Sequence, residues 1–129
     1  MYDRPYLHEL IAAARQHLED QVIPVTRGIN HRLYFQTLVA ANVLRIAERE
    51  LALGGGHFQA QWTRLNLLLG EEPAPADPAE RAQALAQRNA RLCAAIRAGT
   101  YDDSPALFSH LKACAAEQLE VANPRWLAQ

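Results

Sequence analysis

The stretch "LVAANVLRIAEREL", Leu38 to Leu51, decides the fold. Its apolar residues return every three or four positions, the period of a helix and not the alternation of a strand. At about 100° per residue, Val39, Val43, Ile46 and Glu50 project from one side, with Phe35 and Leu53 beside them and Asn42 on the edge. Leu33, Ala40, Leu44, Ala47 and Leu51 widen the arc, so a helix over about residues 31–53 is expected to be covered on more than one side and to be the most buried of the chain. A carboxylate inside such an arc must pair with a cation, reach solvent or stay protonated.

The same period runs outward in both directions, and the expected architecture is all-α, a single-domain bundle of about five helices over residues 1–129. The first helix is expected from about Pro5 to Val22, ended by Pro24 and Gly28. The second takes Asn30 as its N-cap and the glycines Gly54 to Gly56 as its stop. A short third helix carries Phe58, Trp62, Leu65 and Leu69, and Gly70 closes it. "EEPAPADP", Glu71 to Pro78, reads as a proline-stiffened loop able to serve as a hinge. Asp77 and Pro78 open a fourth helix that ends at Gly99; Ser104 and Pro105 open a fifth that stops at Asn123 and Pro124. Trp126 is expected to fold back over one end of the bundle.

Composition narrows the function classes. The 129 residues carry 13 basic and 14 acidic side chains, for a formal charge of −1, with no basic block to neutralise a run of phosphates, so nucleic acid is not expected as a partner. No segment approaches the eighteen consecutive apolar residues of a membrane span, and Asp3 and Glu9 stand where an export signal needs a basic start and an apolar run. The two cysteines, Cys93 and Cys114, fall inside helical patterns, where they read as small core residues of a reducing cytoplasm.

Catalytic signatures are missing from the pattern. His8, His17, His31, His57 and His110 complete no Glu-x-x-His or His-Glu-x-x-His arrangement, so neither a metal nor another cofactor is expected. Ser104 is spent as an N-cap, which leaves nucleophilic catalysis without a candidate. "GGGH" at Gly54 to His57 follows a helix, where a phosphate loop follows a strand, and reads as a chain reversal. Two polar groupings remain. Asn42, Glu50 and Asn89 are a candidate polar pocket, with the competing reading that Asn42, Asn89 and Gln118 form a hydrogen-bonded core network fixing helix register. Arg27, His31 and Arg32 are a candidate anion contact near the start of the second helix, or a solvated loop.

"DRP" at Asp3 to Pro5, "AANVLRIAEREL" at Ala40 to Leu51, "LCAAIRAG" at Leu92 to Gly99 and "VANPRW" at Val121 to Trp126 together resemble a bacterial family of small helical domains of unknown function. The resemblance implies genes placed beside kinases of the aminoglycoside-phosphotransferase type and acyl-CoA dehydrogenases, and hence a role in acyl or hydroxy-acid metabolism. It brings no catalytic residues with it. The leading expectation is a non-enzymatic accessory domain that binds such a kinase or dehydrogenase in the cytoplasm. The alternative is a small-molecule-binding or catalytic bundle built on Glu50, Asn42 and Asn89, and a homodimeric structural module is the third.

Overall fold

The computed structural model describes residues 4–129, and over these residues the chain is all-α, without a strand. It divides into two compact units, Met1–Gly54 and Gly55–Gln129. Asp3, which opens the DRP motif, lies outside the described residues.

In the first unit, Glu9 accepts a hydrogen bond from the backbone N–H of Tyr6 at 2.8 Å and so starts α1, Leu7–His17. The chain does not stop at Pro24. It widens into a π turn over Leu18–Val22 and continues as α2, Ile23–Thr26. The reason is steric and local: proline has no N–H to give and its ring crowds the carbonyl four residues back, and a π turn just ahead, closed by the Ile23 N–H on the Leu18 carbonyl, re-spaces the backbone around it. The turn at Gly28 then delivers Asn30, whose side chain accepts from the N–H of Leu33 at 3.0 Å and caps α3.

The α3 helix runs His31–Leu69 without interruption, so the expected second and third helices are one. Gly54, Gly55 and Gly56 sit inside it, and none has a positive φ. Each costs the helix about 1 kcal/mol relative to alanine, an expense met by the packing that anchors the turns on either side.

The first unit is thinly cored. Among its described residues the buried ones are Thr26, Thr37 and Ala41. Each threonine hydroxyl donates to a carbonyl of its own helix, Thr26 to Val22 at 3.0 Å and Thr37 to Leu33 at 2.7 Å, which is what lets them be buried. Ion pairs supply the rest: Arg15 on α1 spans Glu19 at 3.0 Å and Glu48 on α3 at 2.6 Å, and Arg45 reaches Glu19 from the same side of α3. The expectation that residues 31–53 would be the most buried helix is therefore corrected. That helix is apolar nearly all round, but only its Thr37 and Ala41 side is closed.

The second unit holds a core of large side chains, with Trp62 and Leu65 from α3, Leu92 from α4 (Pro78–Arg97) and Val121 from α5 (Pro105–Ala122). Asp77 and Ser104 cap α4 and α5 through Ala79 and Leu107, while Gly70 and Gly99 take positive φ where α3 and α4 end, as their places in the sequence require. The proline-rich loop is fastened, not hinged. Glu72 gives its carbonyl to the Trp62 indole at 2.8 Å, its N–H to Asn66 and its carboxylate to Arg91, and the Pro75 carbonyl accepts from Arg81. A 3₁₀ turn, Pro124–Ala128, follows α5; its Trp126 is 61 % exposed, so the indole does not cover the end of the unit as expected.

Candidate functional site

In the first unit the helices that close one side of α3 leave its other sides bare. Eleven large apolar side chains stand exposed there among the described residues, from Tyr6, Leu7 and Leu10 on the α1 arm through Val25 and Ile29 to Phe35, Val39, Val43 and Leu51 on α3. Singly exposed apolar residues are ordinary, but eleven within so short a unit leave more apolar surface open than its own helices cover, and such surface marks a place of contact. Part of it is concave. Leu7, His8 and Ala12 of α1 face Glu48, Leu51 and Ala52 of α3 across a groove of about 540 Å³. Glu48 is held in place there by Arg15, whose Nε and Nη2 donate to its two oxygens at 2.6 and 3.2 Å.

The second unit contains the densest polar constellation. Arg64 makes a two-pronged contact with Glu117, at 2.7 and 2.9 Å, and donates from Nε to Nδ1 of His110 at 3.1 Å. Its Nη2 also lies 3.6 Å from the Cys114 thiol, and Gln61 donates to Glu117 at 3.1 Å. Burial, followed by the charge of Arg64, lowers the pKa of His110 from the ordinary imidazole value and keeps the ring neutral at pH 7. Burial pushes the Glu117 carboxyl up, but the hydrogen bonds from Arg64 and Gln61 outweigh it and hold the group below its usual range.

A cysteine beside a histidine suggests nucleophilic chemistry, and the geometry argues against it. Because Nδ1 of His110 accepts from Arg64, the proton sits on Nε2, the nitrogen 3.6 Å from the Cys114 sulfur. The ring therefore offers the thiol a donor and has no free lone pair with which to deprotonate it. What this cluster does is lock α5 to the second half of α3.

A second buried cation works in the same way. Arg88 of α4, only 1 % exposed, stacks over Trp62 with its guanidinium 4.6 Å from the ring centroid. It donates to Asn66 at 2.6 Å and to the Gly70 carbonyl at 2.7 Å, so it caps the end of α3. Its Nε has no hydrogen-bond acceptor among the described residues and lies 3.7 Å from Glu72.

The family model described as "Domain of unknown function (DUF6285)" matches residues 27–126. The chain belongs to the DUF6285 family. No curated protein and no solved structure matches it.

Within this DUF6285 chain the residues singled out from sequence fall in three places. Asn42 and Glu50 are both exposed on α3, two turns apart, and Asn89 is exposed on α4 in the second unit. Gln118 is exposed too, so the buried polar groups are not the ones the sequence suggested but Thr26, Thr37, Arg88 and His110. Arg27 lies in the turn after α2, and His31 and Arg32 occupy the first turn of α3; all three are exposed, with the His31 ring tilted toward Tyr34 at 6.4 Å. Cys93 is exposed and not in a core, and both cysteines are free. No helix among the described residues is long and apolar enough to cross a membrane, and none of their His, Cys, Asp and Glu side chains gather in threes around a metal-sized space.

One signal in the sequence did point to the DUF6285 polar cluster. His110, Cys114 and Glu117 stand at spacings of four and three on one face of α5, opposite Gln61 and Arg64 on α3, which are themselves three apart. Arg88 carried no such signal, because its burial depends on Trp62 and Asn66 reaching it from another helix.

Proposed function

We propose that this chain is a non-enzymatic interaction domain of the cytoplasm, which docks through its first unit onto an enzyme of acyl or hydroxy-acid metabolism. Kinases of the aminoglycoside-phosphotransferase type and acyl-CoA dehydrogenases are the partners that the family resemblance suggests. The observation that carries the reading is the imbalance among the described residues of the first unit: eleven large apolar side chains exposed, and only Thr26, Thr37 and Ala41 buried. A free-standing helical unit gains most of its stability by covering its apolar face, and this one keeps that face available.

The test is binding of purified kinase and purified dehydrogenase to the full chain and to a Leu7→Asp/Leu51→Asp variant, whose changes fall on the rim of the groove. Loss of at least tenfold in affinity, the scale of one interface hot spot, is expected for the partner enzyme. Equal binding by wild type and variant, or binding of neither enzyme, contradicts the reading.

The groove itself favours a second reading. Its volume of about 540 Å³ falls in the usual range for small-molecule sites, and its walls are mostly apolar. An acyl chain fits that chemistry. Thermal shifts with a panel of CoA esters and hydroxy acids, present in the wild type and absent when Leu51→Trp fills the groove, would support it.

A further inference from the structure

We propose that the outer side of α3, from Arg32 to Glu50, pairs antiparallel with the same stretch of a second copy of this chain. The side in question is the one turned away from Thr37 and Ala41, where the helices of the first unit pack. On it Phe35, Val39 and Val43 are 61 %, 47 % and 56 % exposed. It shares with the proposed function only the premise that exposed apolar side chains of this unit meet a protein; the groove lies on another face.

The pattern is self-complementary about the level of Ala41. Arg32 and Glu50 project in the same direction as Val39 and Val43, and they stand equally far from Ala41 toward opposite ends of the helix. A two-fold axis at that level sets Arg32 against Glu50 of the second copy, and does so twice. It sets Val39 against Val43, and the large Phe35 against the small Ala47. A parallel pair would bring Arg32 onto Arg32 and Glu50 onto Glu50, like charge on like. Among the described residues neither Arg32 nor Glu50 has an ion-pair partner within the chain.

The carboxylate that looks misplaced inside an apolar arc becomes the end of a seam, and with Arg32 it sets register and direction.

Sedimentation velocity over a range of concentrations tests this on the full chain. The wild type is expected to be dimeric, and Arg32→Glu or Glu50→Arg alone to raise the dimer Kd at least tenfold, since each reversal creates two like-charge contacts. An equimolar mixture of the two variants should recover the dimer, because one copy then carries two acidic ends and the other two basic ends. The neutral variants Arg32→Gln and Glu50→Gln read the same contact more gently, and circular dichroism checks that each chain is folded. A monomeric wild type, a dimer indifferent to the reversals, or a mixture that fails to recover overturns the proposal. A monomer that still binds an enzyme through the groove removes this inference alone, and a charge-dependent dimer that binds neither enzyme removes only the proposed function.

Discussion

The two units solve the same problem in opposite ways. Residues 55–129 bury Trp62, Leu65, Leu92 and Val121 and fasten them with two arginines, Arg88 stacked on Trp62 and Arg64 gripped by Glu117. The described part of the first unit buries two threonines and an alanine, rests on the ion pairs of Arg15 and Arg45, and leaves eleven of its large apolar side chains in solvent. The same helix, α3, contributes to both, so helix propensity is not what separates them. What separates them is whether the apolar face is covered by the unit's own elements. Surface ion pairs are weak, typically below about 1 kcal/mol each, so the first unit is the one that stands to gain from a partner.

The largest effect should come from the better-built side. Arg88→Ala removes the cap on Gly70 and the cover on Trp62, leaves the Gly70 carbonyl without its side-chain donor and leaves the Asn66 oxygen with the Glu72 N–H alone; about 3 kcal/mol or more should be lost in urea denaturation. A loss below about 1 kcal/mol would erase the contrast between the units. Next comes Glu117→Gln, which keeps the shape but strips Arg64 of its charge partner in a half-buried site, for a loss of about 1–3 kcal/mol. By contrast Val43→Asp, on the exposed side of α3, should change the stability of the isolated monomer by less than about 0.5 kcal/mol.

Acid should reach the second unit through the same cluster. The folded-state pKa of His110 lies below its ordinary value of 6.5, so the unfolded chain binds this proton first. The neutral ring's contribution is complete above 6.5 and is lost as pH falls from there toward the folded value, at no more than about 1.4 kcal/mol per pH unit in that window. Glu117, with its pKa lowered from 4.5, adds a further loss at more acid pH. Thermal midpoints should fall below pH 6.5 and again below pH 4.5 in a scan carried from pH 7 to about pH 2, and His110→Gln should flatten the first fall.

Part of this was legible in the sequence, and the boundary follows the range of the interactions. Asn30, Asp77 and Ser104 cap helices and Gly70 and Gly99 end them because a cap is made with residues two or three positions away. Pro24 and Gly54 to Gly56 misled for the converse reason: each weakens a helix locally, and packing from distant residues decides whether the chain bends there. The burial of Arg88 and His110 was hidden, since both depend on side chains arriving from α3. Glu50 reaches solvent, one of the outcomes its place in the arc allowed, because the arc itself is open.

A modest gain is expected at the glycines. Nothing stands within 4 Å of where a β-carbon would be built at Gly55 or Gly56, so Gly55→Ala and Gly56→Ala should each stabilise α3 by about 0.5–1 kcal/mol, read by thermal denaturation. A loss instead would show that the helix needs to open at that point.

Hydrogen exchange along α3, followed as a function of protein concentration, tests the central claim within a single helix. If the first unit is completed by association, amides of residues 38–50 exchange rapidly in dilute solution and become protected as concentration rises, while those of residues 58–69 are protected throughout. Equal protection of both halves in the most dilute sample, unchanged on concentrating it, would mean that the exposed face of the first unit needs no partner and would contradict the account.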